Sequence, residues 1–134
     1  MFLNSLSNKQ KNLFIQLAIK AAEINGVVEF EEKNMLKTFA MEMDIAPIYS
    51  ADNVTTEEVL NELILVSSKQ ELRIIIFEIL GIMIADSEFD EKEEDFVNNM
   101  IYQFAVHEKE KEEMLVVLKD YLRLYNKIVG IVFD

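Results

Sequence analysis

Two stretches of this chain share one pattern, and the pattern limits what the chain can fold into. The first is Asn25-Gly26-Val27-Val28-Glu29-Phe30-Glu31-Glu32 and the second is Asp86-Ser87-Glu88-Phe89-Asp90-Glu91-Lys92-Glu93. Each reads as a helix end, a tight acidic turn, an apolar residue, an acidic N-cap and a glutamate three residues on. The two lie 61 residues apart (25 to 86), and the register holds on both sides of the turn. Leu13, Phe14 and Ile15 align with Ile74, Ile75 and Ile76. Val28 aligns with Phe89, Met35 with Phe96, and Ile45 with Val106. The unit is therefore a pair of helices joined by a short acidic loop, used twice over about 8–45 and 69–106.

Helix starts support that division. In a capping box, a side-chain oxygen and a carboxylate or amide three residues later satisfy backbone donors that have no partner within the helix. Ser7–Gln10, Thr55–Glu58, Ser68–Glu71 and Asp90–Glu93 all have this form, and Glu29–Glu32 is a weaker version. Apolar residues recur at three and four positions in each following segment. Leu13, Leu17, Ala21 and Ile24 mark the first helix. Met35, Leu36, Phe39 and Met43 mark the second, with Pro47 closing that region and 46–54 forming a polar connector. Val59, Leu60, Leu63, Ile64 and Val66 mark a short third helix.

The fourth helix, from Lys69 to about Ala85, is apolar on nearly every face from Ile74 onward, so it belongs at the centre of a bundle. Gly81 within it is expected to admit a close neighbour. Phe96, Val97, Met100, Ile101 and Phe104 stripe the fifth helix. Met114, Leu115, Leu118, Tyr121, Leu122 and Tyr125 stripe a sixth, which is expected to run from about 107 or 108 to Val129. Gly130 would cap it, leaving an apolar tail that folds back or meets another chain. Met35, Met41, Met43, Met100 and Met114 read as core filling. The charged run from Glu108 to Glu113 reads as a solvated face. The expected architecture is all-α: one domain over 1–134, a single compact bundle of about six helices containing two related helix–acidic turn–helix units.

Composition narrows the function. Half of the 134 residues are hydrophobic, which suits a packed core. The net charge of −12 repels phosphate backbones and anionic membrane surfaces, so neither nucleic-acid binding nor membrane insertion is expected. The apolar run from Ile74 to Ala85 is shorter than the ~20 residues a membrane span needs. A soluble, cytoplasmic protein is expected. With no Cys and one His, His107, thiolate metal sites and the usual nucleophile–base constellations lack their parts. No glycine-rich phosphate loop is present.

An alanine that ends a helix, then an acidic turn, an apolar residue, a capping acid and a glutamate three on, together resemble the TerB-like family. The resemblance covers about residues 8–125. Its second copy, Ala85 to Glu93, departs in Ser87 for Gly, and its first in Asn25 for Asp and Glu29 for the cap. TerB-like proteins are small and all-helical and are linked to tellurite-resistance and stress-response gene clusters. Related domains occur in membrane-anchored DnaJ-like co-chaperones. The resemblance implies a helical fold, a stress association and an acidic, cation-associated site, and no catalytic activity.

The residues themselves allow two readings of the acidic turns. Asp86, Glu88, Asp90 and Glu93, with Asn25, Glu29 and Glu32 of the first copy, could hold a hard divalent cation through oxygen ligands. The spacing is not that of an EF-hand: counting from Asp86, Glu91 stands at the glycine position and Val97 at the bidentate glutamate. Capping and the helix dipole explain the same acids without a metal. Glu78 is the one ionisable residue inside the apolar run from Ile74 to Ala85. It is either at a rim or buried with a raised pKa or a partner such as Arg73 or Lys20. The leading expectation is a non-enzymatic, stress-associated protein-interaction module. Such a module would have a protein partner, no cofactor beyond weak Ca²⁺ or Mg²⁺, and a tail suited to homo-oligomer formation. The alternative is a divalent-cation-binding or ion-sequestering protein. An interaction module should expose an apolar groove rimmed by acid.

Overall fold

The computed structural model describes residues 1–24, 26, 30–85 and 89–134, without the side chains of Glu31 and Ala85. Six α-helices follow a 3-10 turn at Leu3–Ser5: α1 (Asn8–Ala22), α2 (Phe30–Met43), α3 (Thr56–Val66), α4 (Lys69–Ala85), α5 (Glu91–Gln103) and α6 (Glu108–Phe133). No strand occurs among the described residues, so the chain is an all-α bundle.

Two helices form the middle. α4 packs on α1, α5, α6 and the 3-10 turn, as its all-round apolar surface requires. Ile75, Ile76, Ile79, Leu80 and Met83 are buried there. α1 packs on α2, α3 and α4, burying Phe14, Ile15, Leu17, Ala18 and Ile19. α3 thus covers α1, and α6 covers α4. Each buried aliphatic or aromatic side chain contributes about 1.5–3 kcal/mol through its removal from water, and α1 and α4 together supply half of the described buried hydrophobic residues.

All four boxes expected with Ser, Thr or Asp caps are formed. The Ser7 amide donates to Gln10 Oε1 at 2.7 Å and the Gln10 amide donates to Ser7 Oγ at 3.2 Å. Thr55–Glu58, Ser68–Glu71 and Asp90–Glu93 repeat the exchange. Gln10 does more than cap. Its buried Nε2 donates to the Val66 carbonyl at 3.0 Å and to Ser67 Oγ at 3.1 Å, tying the start of α1 to the end of α3. Asn25, Val27, Val28 and Glu29 lie outside the described residues, and with them the cap expected at Glu29.

Helix ends show a feature the sequence concealed. α2 stops at Met43, four residues before Pro47, and Asp44 takes a left-handed conformation with φ 55°. The Ile45 amide then donates to the Ala40 carbonyl at 3.0 Å and the Asp44 amide to the Met41 carbonyl at 3.2 Å. This is the Schellman motif. α5 ends the same way: Ala105 has φ 55°, the Val106 amide donates to Ile101 and the Ala105 amide to Tyr102. Neither left-handed residue is glycine, which is why composition gave no signal. Lys69, at the start of α4, donates from Nζ to the Phe104 and Ala105 carbonyls, covering the end of α5.

Three further expectations are corrected. α6 does not stop near Val129; it continues through Gly130 to Phe133. One glycine costs a helix only about 1 kcal/mol relative to Ala, and Ile131 and Val132 prolong the apolar spacing beyond it. Lys111 is not on a solvated face but 2% exposed, donating to Asn98 Oδ1 at 2.9 Å beside Glu108 and Glu112. Met41, read as core, is exposed, whereas Met43 and Met100 are buried.

Gly81 admits no close neighbour either, since a Cβ built there meets nothing within 4 Å. Gly81→Ala should therefore stabilise the protein by about 0.5–1 kcal/mol, read from the urea midpoint. Gly26, at φ 122°, is the opposite case, and Gly26→Ala should destabilise by about 1–2 kcal/mol in the same assay. A loss of stability at position 81 would mean that the central helix is closer to a neighbour than described.

Candidate functional site

The predicted acidic site is only partly within the described residues. Asn25, Glu29, Asp86 and Glu88 fall outside them. Of the rest, Asp90 and Glu93 are joined to each other as the cap of α5: Asp90 Oδ1 accepts from the Glu93 amide at 2.9 Å and Glu93 Oε1 from the Asp90 amide at 3.3 Å. Glu32 lies half-buried in the first turn of α2. Among the described residues, no group of three or more His, Asp or Glu side chains is placed to hold a metal ion. His107 caps α6, its Nδ1 accepting from the Lys109 amide at 3.1 Å.

A second acidic feature comes from Glu78, which is 7% exposed rather than at a rim. Its cationic partner is neither Arg73 nor Lys20. The Met1 ammonium donates to Glu78 Oε1 at 2.6 Å, the Phe2 amide donates to the same oxygen at 3.0 Å, and Glu42 lies 3.2 Å from the ammonium. Burial opposes the charge on that amine. Hydrogen bonds and attraction from Glu78, then Glu42, outweigh it and hold the ammonium above its ordinary pKa. Glu78 opens onto a cavity of about 160 Å³ bordered by Phe39, Gly81, Leu118 and Tyr121. No sequence pattern links residue 78 to residue 1, so this pair was not legible beforehand.

An exposed apolar feature lies along α4 and α6. A groove of about 370 Å³ runs between them, floored by Phe77, Met114 and Val117 and rimmed by Glu110 and Glu113. Arg73, once a candidate partner for Glu78, instead reaches Glu110 across this groove at 3.1 Å. A neighbouring hollow of about 340 Å³ extends the groove past Phe2 and Ile74.

The α6 stripe divides in two. Leu115 and Leu118 are buried and Met114 and Leu122 pack against the core, but Tyr121 and Tyr125, expected to join them, are exposed. Val117, Leu124, Ile128 and Val132 are exposed as well. Tyr121 and Tyr125 stack with ring centroids 6.3 Å apart. The signal that could have revealed this is arithmetic. The apolar spacing runs to residue 132, and none of the six described helices covers its outer half.

The described residues define an all-α bundle with an acid-rimmed groove and an uncovered apolar helix face. No protein-family model, curated protein or solved structure matches the chain. No described helix is long and apolar enough to cross a membrane.

The amino-terminal pair has a pH signature. An amine whose pKa is raised on folding contributes stability that is complete below its unfolded value of about 8 and is lost as pH climbs through the folded value. Thermal midpoints should therefore fall as pH rises above about 8. Glu78→Gln should lower stability at pH 7 by about 1–3 kcal/mol and flatten that alkaline slope. An equally steep slope in the variant would show that the amine is not paired there.

Proposed function

We propose that this chain is a TerB-like helical module that acts through protein–protein contacts in a stress response, without chemistry of its own. The uncovered apolar face of α6, continuous with an acid-rimmed groove, is the observation that carries the reading. Monomeric soluble domains seldom leave several large aliphatic and aromatic side chains contiguous and wet unless a partner covers them.

Support for the TerB-like part comes from register. α4 begins 61 residues after α1 (8 to 69) and α5 the same distance after α2 (30 to 91). The capping boxes at Ser7 and Ser68, and the left-handed ends at Asp44 and Ala105, keep that spacing. Phe14, Ile15, Leu36 and Ala40 are buried, as are Ile75, Ile76, Val97 and Ile101 opposite them. A doubled helix–acidic turn–helix unit accounts for all of these at once. The following helix joins the scheme, since α3 lies on α1 as α6 lies on α4.

The test is affinity capture with the whole chain from native lysate at mild salt, followed by identification of what is retained. A partner recovered in stoichiometric amount, and displaced by untagged chain, is the expected result. Recovery of nothing beyond the chain's own copies would count against an adaptor for other proteins.

A further inference from the structure

We infer that the outer half of α6 is a self-association element. It seats in the α4–α6 groove of a second copy, in an antiparallel arrangement that each copy reciprocates. The inference rests on the interaction-module reading and names the partner of that face.

The helix has the required pattern. Residues 114, 118, 121, 125, 128 and 132 alternate steps of four and three, the spacing that keeps one seam facing a partner helix. Every charged residue between 114 and 133, namely Lys119, Asp120, Arg123 and Lys127, lies off that seam and its flanking positions. The inner part of the seam is satisfied by α4, with Leu115 and Leu118 buried. The outer part has no cover among the described residues. Val117, Tyr121, Leu124, Tyr125, Ile128 and Val132 offer on the order of 100 Å² each, or roughly 600 Å² together. With the groove walls added, this approaches the ~800 Å² per partner of a stable interface.

Three observations favour a second copy as the occupant. First, the seam that faces α4 at one end is the seam left open at the other. A second copy presents the same α4–α6 surface to that open seam. Second, charge agrees. The chain carries a net −12, yet residues 114–133 hold three basic side chains against one acidic. The groove carries Glu110 and Glu113 against the single cation Arg73, so a segment with a basic balance suits it. An anionic bilayer would meet the repulsion of the remaining acidic surface. Third, the contact is reciprocal, so the seams of both protruding halves are covered in one closed dimer.

The experiment is light scattering on the purified full chain between about 5 and 100 μM at physiological salt. Twice the chain mass is expected for the native protein. Leu124→Glu with Ile128→Glu should weaken the dimer by at least about 30-fold, since one charge would be placed in the seam and one beside it. Helix content and thermal midpoint at low concentration should not change, because both positions are exposed in the single chain. Monomeric native protein at 100 μM overturns the inference, as does a dimer that survives both glutamates. Flotation of the native chain with phosphatidylserine vesicles, lost in the same double variant, would assign the face to a lipid surface and also overturn it. A foreign partner captured from lysate alongside a monomeric chain would leave the module reading standing and remove only the dimer.

Discussion

The contact between α1 and α4 is the constraint on which the rest of this molecule depends. Two helices can lie side by side in the centre of so small a bundle only if each is covered on its remaining faces and each end is satisfied without water. α2 and α3 cover α1; α5 and α6 cover α4. The ends are handled by side chains close in sequence. Ser7 and Gln10 satisfy the start of α1, and Ser68 and Glu71 the start of α4, where the Ser68 amide and then Gln10 hold the Glu71 carboxyl below its ordinary pKa. That part of the stability is present above the ordinary glutamate range and fades as acid protonates the group through its lowered value. Gln10 is thus shared between the two central helices and the carbonyl end of α3. A single amide links three elements.

Much of this was legible in the sequence because it is local. Capping boxes span four residues, and amphipathic stripes need only the helix period. The helix apolar on all sides was placed correctly at the centre for the same reason. What escaped was of two kinds. Some ends were set by backbone geometry that residue type does not announce: Asp44 and Ala105 adopt left-handed conformations more often taken by glycine, whereas Gly130, which invited a stop, lies inside a helix. Other features join residues distant in the chain. The ammonium at residue 1 reaching Glu78, and Lys111 turning inward to Asn98, follow from packing, and no periodicity encodes them.

The candidate site was less legible than the fold. Acidic residues drew attention because their clustering is visible in one dimension. Two of those described, Asp90 and Glu93, are spent on each other as a helix cap. The apolar face of α6 looked like core because its spacing is that of core. Only the count of helices available to cover it distinguishes a buried stripe from an open one, and that count is a property of the assembled bundle.

Lys69 gives the second hairpin a clasp. The first side chain of α4 grips the last carbonyls of α5. These two limbs of the hairpin are therefore fastened at their mouth. Fraying of one limb removes the fastening of the other, so the pair should come apart as one cooperative block rather than peel from either tip.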